Sequence, residues 1–311
     1  MAEPSPTAPT TKLTDYKPRE ARRGCYAGYV ARKRFEWKLR DRTVSLGERT
    51  LIMGVLNVTP DSFSDGGKYQ DPDRAFARAI QMEEEGADMI DVGAESTRPG
   101  SQKVSEAEEL RRLVPVLKRL RDQVAVPISV DTYKSGVAAK ALELGALIIN
   151  DPTALTSDPE MARAASHGNA GLVLNHMRGN PLTWAKLPPL KDAMRTIAAE
   201  LDASVHRALR AGMERKQIVI DPGLGFGKRK EQNAEILAQL GALSRLELPI
   251  LAGPSRKHFL ARDTADQTEF ATAAAVTAAI LHGAHIVRVH DVKAMRVVAD
   301  VADGILRAEE E

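Results

Sequence analysis

The chain has 311 residues, and its 44 Lys and Arg nearly balance 42 Asp and Glu, leaving a formal net charge of +2. That balance gives no support to nucleic-acid or membrane-surface binding, while 43% hydrophobic and 28% charged residues argue against a disordered chain. A single cysteine, Cys25, excludes an intramolecular disulfide and a cysteine-based zinc site and points to the cytoplasm, and no apolar run approaches the ~20 residues needed to span a bilayer.

In chain order, Met1 to Thr11 is rich in Pro, Thr and Ala without an apolar signal core. A flexible tail is therefore expected over 1–20. An extension over 21–50 follows. In it, Phe35-Glu-Trp-Lys-Leu39 and Arg42-Thr-Val-Ser-Leu46 alternate apolar and polar residues around an Arg-Asp pair. That pattern predicts a small hairpin beneath the main domain.

From 51 to 311 the pattern is regular. Short apolar runs at 51–57, 89–93, 127–131, 146–151, 171–176, 217–221, 249–253 and 285–290 predict eight strands. Continuous runs such as Ile218-Val-Ile220 suit strands buried on both faces, as in a parallel sheet. Helix-like segments lie between them, for example 73–85, 106–123, 135–144 and 192–211. Leu110, Leu113, Leu117 and Leu120 mark one apolar face of the second, and Ser105 followed by Glu108 is a capping-box signature before it. Gly86, Gly145, Gly212 and Gly283 stand where helices should stop. Eight β-then-α repeats without a composition break predict an α/β fold, a single (β/α)8 TIM barrel with a short N-terminal hairpin; a doubly wound open sheet is the alternative.

Nearly every predicted strand ends in polar residues or glycine: Asn57, Asp91-Val-Gly93, Asp131, Asn150-Asp151, His176, Asp221-Pro-Gly223, Gly253-Pro-Ser-Arg-Lys257 and Arg288-Val-His290-Asp291. One Asp at a strand end is ordinarily a cap, but eight such ends converge on one mouth in a barrel, where this fold builds active sites. Asp131, Asn150, Asp221 and Lys257 suit a flat heterocycle with an N–H/NH2 edge and ring acceptors. Arg256, Arg288 and His290 follow strands seven and eight, where barrels often hold phosphate. Taken alone, Arg288 and His290 would also fit a solvated rim pair. The loop Val58-Thr-Pro-Asp-Ser-Phe-Ser-Asp-Gly-Gly67 carries one aromatic, Phe63, and reads as a lid. The Gly-rich segment Asp221-Pro-Gly-Leu-Gly-Phe-Gly-Lys228 lacks the spacing of a dinucleotide loop.

NVTPDSFSDGG (57–67), ESTRPG (95–100), SVDT (129–132), IND (149–151), HMRGNP (176–181), DPGLGFGK (221–228), SRK (255–257) and RVHDV (288–292) occur in this order. Together they resemble dihydropteroate synthase, over most of the chain from about Gly54 onward. The resemblance implies condensation of 6-hydroxymethyl-7,8-dihydropterin diphosphate with p-aminobenzoate, giving 7,8-dihydropteroate and pyrophosphate, in folate synthesis. It implies that Asp131, Asn150, Asp221 and Lys257 hold the pterin, with Asn175 beside them. Asn57 would bind Mg²⁺ with the pyrophosphate, and Thr97, Arg288, Val289 and His290 would contact phosphates or pterin. Phe63, Thr97, Arg98, Pro99, Phe226 and Ser255 would surround p-aminobenzoate, with Asp65 near the reacting methylene. Lys257, Asp65 and Arg98 are the expected catalytic set. The family is a sulfonamide target and commonly dimerises through its late helices, so the expected partners are small-molecule substrates and a second copy of the chain, with no nucleic acid and no membrane.

Some positions depart from the family pattern. Ala94 stands where Gly is common, Asn175 where Met usually faces the pterin, and His258 where a small Ser is common. Pro152-Thr-Ala154 and Ala271 are also unusual. Two rivals share the pterin grip: a methyltetrahydrofolate-dependent corrinoid methyltransferase and a non-catalytic pterin-binding module. The first has no need of the SRK lysine, the Phe63 loop or the RVH phosphate clamp. The second would be expected to lose Asn57, Arg98 or Lys257, and none is lost.

Overall fold

The computed structural model describes residues 32–59, 72–96, 98 and 100–310. It opens with an antiparallel hairpin, β1 (Phe35–Lys38) and β2 (Thr43–Leu46), in which Phe35 pairs with Leu46. Eight parallel strands follow: β3 (Leu51–Asn57), β4 (Met89–Gly93), β5 (Ile128–Asp131), β6 (Ile148–Asp151), β7 (Gly171–Asn175), β8 (Ile218–Asp221), β9 (Leu251–Ala252) and β10 (Ile286–Val289). Their order in the sheet is β8-β7-β6-β5-β4-β3-β10-β9, and a bridge between Ile220 and Ile250 joins the two ends. The expected barrel is thereby closed. Helices α1 (Pro72–Glu84), α2 (Glu106–Leu120), α3 (Ser135–Glu143), α4 (Met161–His167), α5 (Ala193–Arg210), α6 (Lys230–Ala238), α7 (Ala265–Leu281) and α8 (Val292–Glu310) alternate with the strands.

Local chemistry explains the boundaries. Pro72 opens α1, where its missing N–H is no loss. The hydroxyl of Ser105 accepts the Glu108 N–H at 3.2 Å, while the Glu108 carboxylate turns to Arg111 and Arg112 rather than back to the cap. Gly86, Gly145, Gly212 and Gly283 all stop helices with φ between +93° and +105°.

Strand residues alternate between two cores, as the two-residue period requires. Ile52, Ile90, Val130, Ile149, Leu172, Ile220 and Val287 face outward into the helix layer. Met53, Met89, Ile148, Val173, Val219, Leu251 and Ile286 face into the barrel, where they meet Trp37, Leu39 and Leu46 of the hairpin region. The hairpin therefore plugs the bottom, as its pattern predicts. A methyl group on Gly171 would come within 2.4 Å of Leu39, and the Trp37 indole donates to the Gln217 carbonyl at 2.9 Å. No described helix is long and apolar enough to cross a membrane.

Candidate active site

The same alternation aims the site. Two residues beyond each inward core position, the inward side chains become Asp91, Asn150, Asn175, Asp221 and Arg288, with Asn57 and Asp131 on the same faces and Ser255 in the turn after β9. Ladder pairing fixes their heights: Gly93 lies opposite both Asn57 and Asp131, Asp131 opposite Asn150, and Asn175 opposite Asp221. Gly93 and Gly253 keep the centre open. A methyl group at Gly93 would lie 3.6 Å from Asp131 and 3.9 Å from the Asn57 amide oxygen; one at Gly253 would lie 3.6 Å from Arg288 and 3.9 Å from Asp221.

Asp91, fully buried, is the hub. Its carboxylate accepts from Ser129 Oγ at 2.6 Å, Asn150 Nδ2 at 3.0 Å and Arg288 Nε at 2.6 Å. Arg288 Nη2 continues to Asp131 Oδ2 at 2.8 Å, so the guanidinium bridges two carboxylates inside the mouth and is not a solvated rim group. The bond to Asp91 uses the NH2 of Asn150 and leaves its oxygen free. The amide oxygens of Asn150 and Asn175 are both buried without a partner among the described residues. Two unpaired acceptors in a built cluster are expensive unless a ligand or water supplies donors.

Burial shifts the ionisable groups toward neutrality. It raises Asp131 to about 7, against the lowering influence of Arg288, and Asp221 to about 6, against the Gly223 N–H that donates to its Oδ1 at 2.6 Å. Burial, with the Arg288 charge next, lowers Lys257 to about 8. Its ammonium sits 3.7 Å from the Phe226 ring centroid, a cation–π contact, and Phe226 packs against Trp184 at 5.5 Å. His290 is held at about 3 by burial and by the charges of Arg288 and Arg256, so its ring is neutral. Ser255 Oγ lies 2.9 Å from His290 Nδ1 and accepts the His290 backbone N–H at 3.2 Å. With the hydroxyl donating to Nδ1, the ring keeps its proton on Nε2.

Above this cluster opens a cavity of about 970 Å³, walled by Asn57, Arg98, Asp131, Phe226, Ser255, Lys257, Arg288 and His290 among others. That is the upper end of small-molecule pockets. The structure thus brings together most of the residues expected at the site. The Val289 side chain is fully buried in the outer core, because the residue between two inward ones must face the helices. Only its backbone can reach the mouth. Two strand-end polar residues also prove structural. Asp151 accepts from Thr153 and Leu155 and holds the following turn, and His176 turns outward to Glu200 at 2.8 Å. Phe63, Asp65, Thr97 and Pro99, and with them most of the expected lid, lie outside the described residues.

Sequence reasoning set Asp91 at the mouth among the polar strand ends without a specific role, and gave none to Trp184 or Lys228. That Asp91 faces inward follows from its strand parity with Met89. Trp184 sits in an irregular segment with no period to place it.

Residues 53–290 match the family described as pterin binding enzyme. The chain belongs to that family. It is 44% identical over 265 residues to a dihydropteroate synthase from Synechocystis, covering 84% of this chain and 92% of that one. Among solved structures, Xanthomonas albilineans dihydropteroate synthase with 4-aminobenzoic acid superposes with a TM-score of 0.81 at 38% identity, covering 88% of this chain and 98% of the other. The same enzyme in complex with 7,8-dihydropteroate gives a TM-score of 0.77 at 36% identity, covering 87% and 98%.

Proposed function

We propose that this chain joins 6-hydroxymethyl-7,8-dihydropterin diphosphate to p-aminobenzoate, releasing 7,8-dihydropteroate and pyrophosphate. The observation that carries the reading is the buried group at the mouth: two unpaired amide oxygens, from Asn150 and Asn175, beside the carboxylates of Asp131 and Asp221 and the ammonium of Lys257. The pterin's N–H edge faces the carboxylates and amide oxygens, and Lys257 donates to its ring acceptors. Arg288 and the Nε2–H of neutral His290 face the leaving pyrophosphate, and Phe226, Ser255 and Arg98 flank p-aminobenzoate; Phe63, Thr97, Pro99 and Asp65, outside the described residues, are proposed for the same substrate on the resemblance alone. Val289 contributes through its backbone.

The chemistry follows from charge. Loss of pyrophosphate leaves positive charge on a methylene conjugated to an electron-rich ring. Asp131 and Asp221 stabilise that charge. The arylamine is neutral near pH 7, so the site needs no strong base to activate it.

Among the described residues no group of three His, Cys, Asp or Glu side chains is placed to hold a metal ion. The donor set instead fits a magnesium ion shared with the substrate, because Mg²⁺ commonly takes one or two protein oxygens plus phosphate oxygens. Asn57, with its amide oxygen at the edge of the mouth, would be its protein ligand, and the ion would neutralise charge on the departing pyrophosphate. We also propose a homodimer through the late helices, supported by the exposed apolar residues Phe270 on α7 and Val297, Val301 and Ile305 on α8.

Pyrophosphate release measured with and without p-aminobenzoate tests the reaction. Release matched one-to-one by dihydropteroate is expected; a protein that binds the pterin pyrophosphate and forms no dihydropteroate overturns the reading.

A further inference from the structure

Lys228 is buried and does not line the cavity. Its ammonium donates to three main-chain carbonyls, those of His176 at 2.6 Å, Pro222 at 2.8 Å and Gly223 at 2.7 Å. Burial pushes the Lys228 pKa well below the usual lysine value, but three carbonyl acceptors around one nitrogen are all satisfied only by the ammonium, which has three donors. Buried lysines are ordinarily matched by a carboxylate; here the acceptors belong to two separate strand ends, one just past β7 and one just past β8. The lysine is a clamp between them.

The clamped segment cannot set its own shape. Gly223, Gly225 and Gly227 have φ of +68°, +80° and +71°, a run that neither a ladder nor a helix can hold. A methyl group on Gly223 would meet the His176 carbonyl oxygen at 1.8 Å, so the two strand ends touch through backbone alone. A second tie comes from α6, where Asn233 Oδ1 accepts the Gly225 N–H at 2.6 Å and Nδ2 donates to the Arg229 carbonyl at 2.8 Å. Between these ties stands Phe226, packed on Trp184 and carrying the Lys257 ammonium over its ring.

We propose that Lys228 is a positioning residue for the arylamine side of the site: it fixes the 222–227 segment so that the Phe226 ring holds Lys257 and forms the wall against which the arylamine lies. The substrate half of this inference rests on the synthase reading. The backbone of Asp221 is held by the β8 ladder to β7, and its carboxylate meets the clamped segment only through the Gly223 N–H at 2.6 Å, so the pterin grip is disturbed less than the arylamine wall when the clamp is removed. Phe226 has no ladder. The clamp should therefore act unequally on the two substrates.

Lys228→Met keeps the apolar stem and removes every donor. It should raise KM for p-aminobenzoate about tenfold, the scale expected when buried acceptors lose their partner, while calorimetric affinity for the pterin pyrophosphate changes far less. Trp37 and Trp184 are the chain's two tryptophans, so in a Trp37→Phe background the emission of Trp184 reports the Phe226 contact directly. Lys228→Met should shift that emission in the protein without substrate. Asn233→Leu, which cuts the other tie, should reproduce both effects and carries the test if Lys228→Met does not fold. Unchanged KM with unchanged emission overturns the proposal, and so does a parallel loss of affinity for both substrates, which is what a merely structural lysine would give. If the unmodified protein forms no dihydropteroate, the synthase reading fails, and the Trp184 emission still decides whether Lys228 sets the segment.

Discussion

Asp221 shows how a buried carboxyl weakens the fold around it. Burial raises its carboxyl to about 6 from an ordinary 3.8. A folded-state pKa above the unfolded one means that the stability this group contributes is full below about 3.8 and lost as pH rises through about 6. Asp221→Asn cannot ionise, and its side-chain oxygen can still accept from Gly223. In urea unfolding it should exceed the unmodified protein by on the order of 2 kcal/mol at pH 8, and the gap should close near pH 4. A gap independent of pH would mean that Asp221 is not desolvated. Function should move the other way, because a charge-assisted hydrogen bond contributes about 1.5–3 kcal/mol: Asp221→Ala should bind the pterin pyrophosphate at least about tenfold more weakly, read by calorimetry. At Asn175, replacement by Met exchanges an unpaired buried oxygen for a polarizable thioether. A modest change in pterin affinity with no change in reaction products is expected; unaltered affinity would place the Asn175 oxygen out of the ligand's reach. These residues were legible as chemistry because polar groups at strand ends stand out against apolar runs. Their partners were not: that Arg288 would span Asp91 and Asp131 depends on the width of the closed barrel, which no local pattern encodes.

Among elements, the strands were the most legible part. β3 and β4 begin and end where the apolar runs do, and the others differ by one or two residues at their ends. β9 is the exception, two residues long where five were expected, because Pro249 has no N–H to give a ladder and Gly253 begins the turn toward Lys257. Within the expected contact group 288–290, the strand period turns the Val289 side chain away from its neighbours. The hairpin illustrates the reverse case, where a plain alternating pattern correctly gave both the element and its place. Trp37 is 1% exposed at the barrel floor and its ring packs beneath Gly171. Trp37→Ala should destabilise the protein by about 3–5 kcal/mol in urea unfolding, while affinity for the pterin pyrophosphate stays unchanged, since the mouth lies at the opposite strand ends. A loss of affinity alongside stability would show that floor and mouth are mechanically coupled.

For the whole molecule, closure of the sheet is what turns eight separate strand ends into one site, and the helix layer outside it is free to serve another purpose. Most of that layer follows the expected pattern of apolar inside and polar outside. On α8 it does not: Val297, Val301 and Ile305 recur at four-residue intervals with exposures of 63, 61 and 41%, and Phe270 on the adjoining α7 is 73% exposed. Scattered apolar surface residues need no explanation, but a row on one helix face beside an exposed aromatic is the composition of an interface between copies. Sedimentation should find a dimer of the 311-residue chain. Val301→Asp would place a charge in the middle of that face and, in the buried interface, leave it unpaired, an arrangement that costs several kcal/mol. The variant should sediment as a monomer at concentrations where the unmodified chain is dimeric, with pterin affinity retained because Val301 lies outside the cavity wall. A monomeric unmodified protein, or a variant that stays dimeric, would mean that the exposed face of α8 meets no second copy.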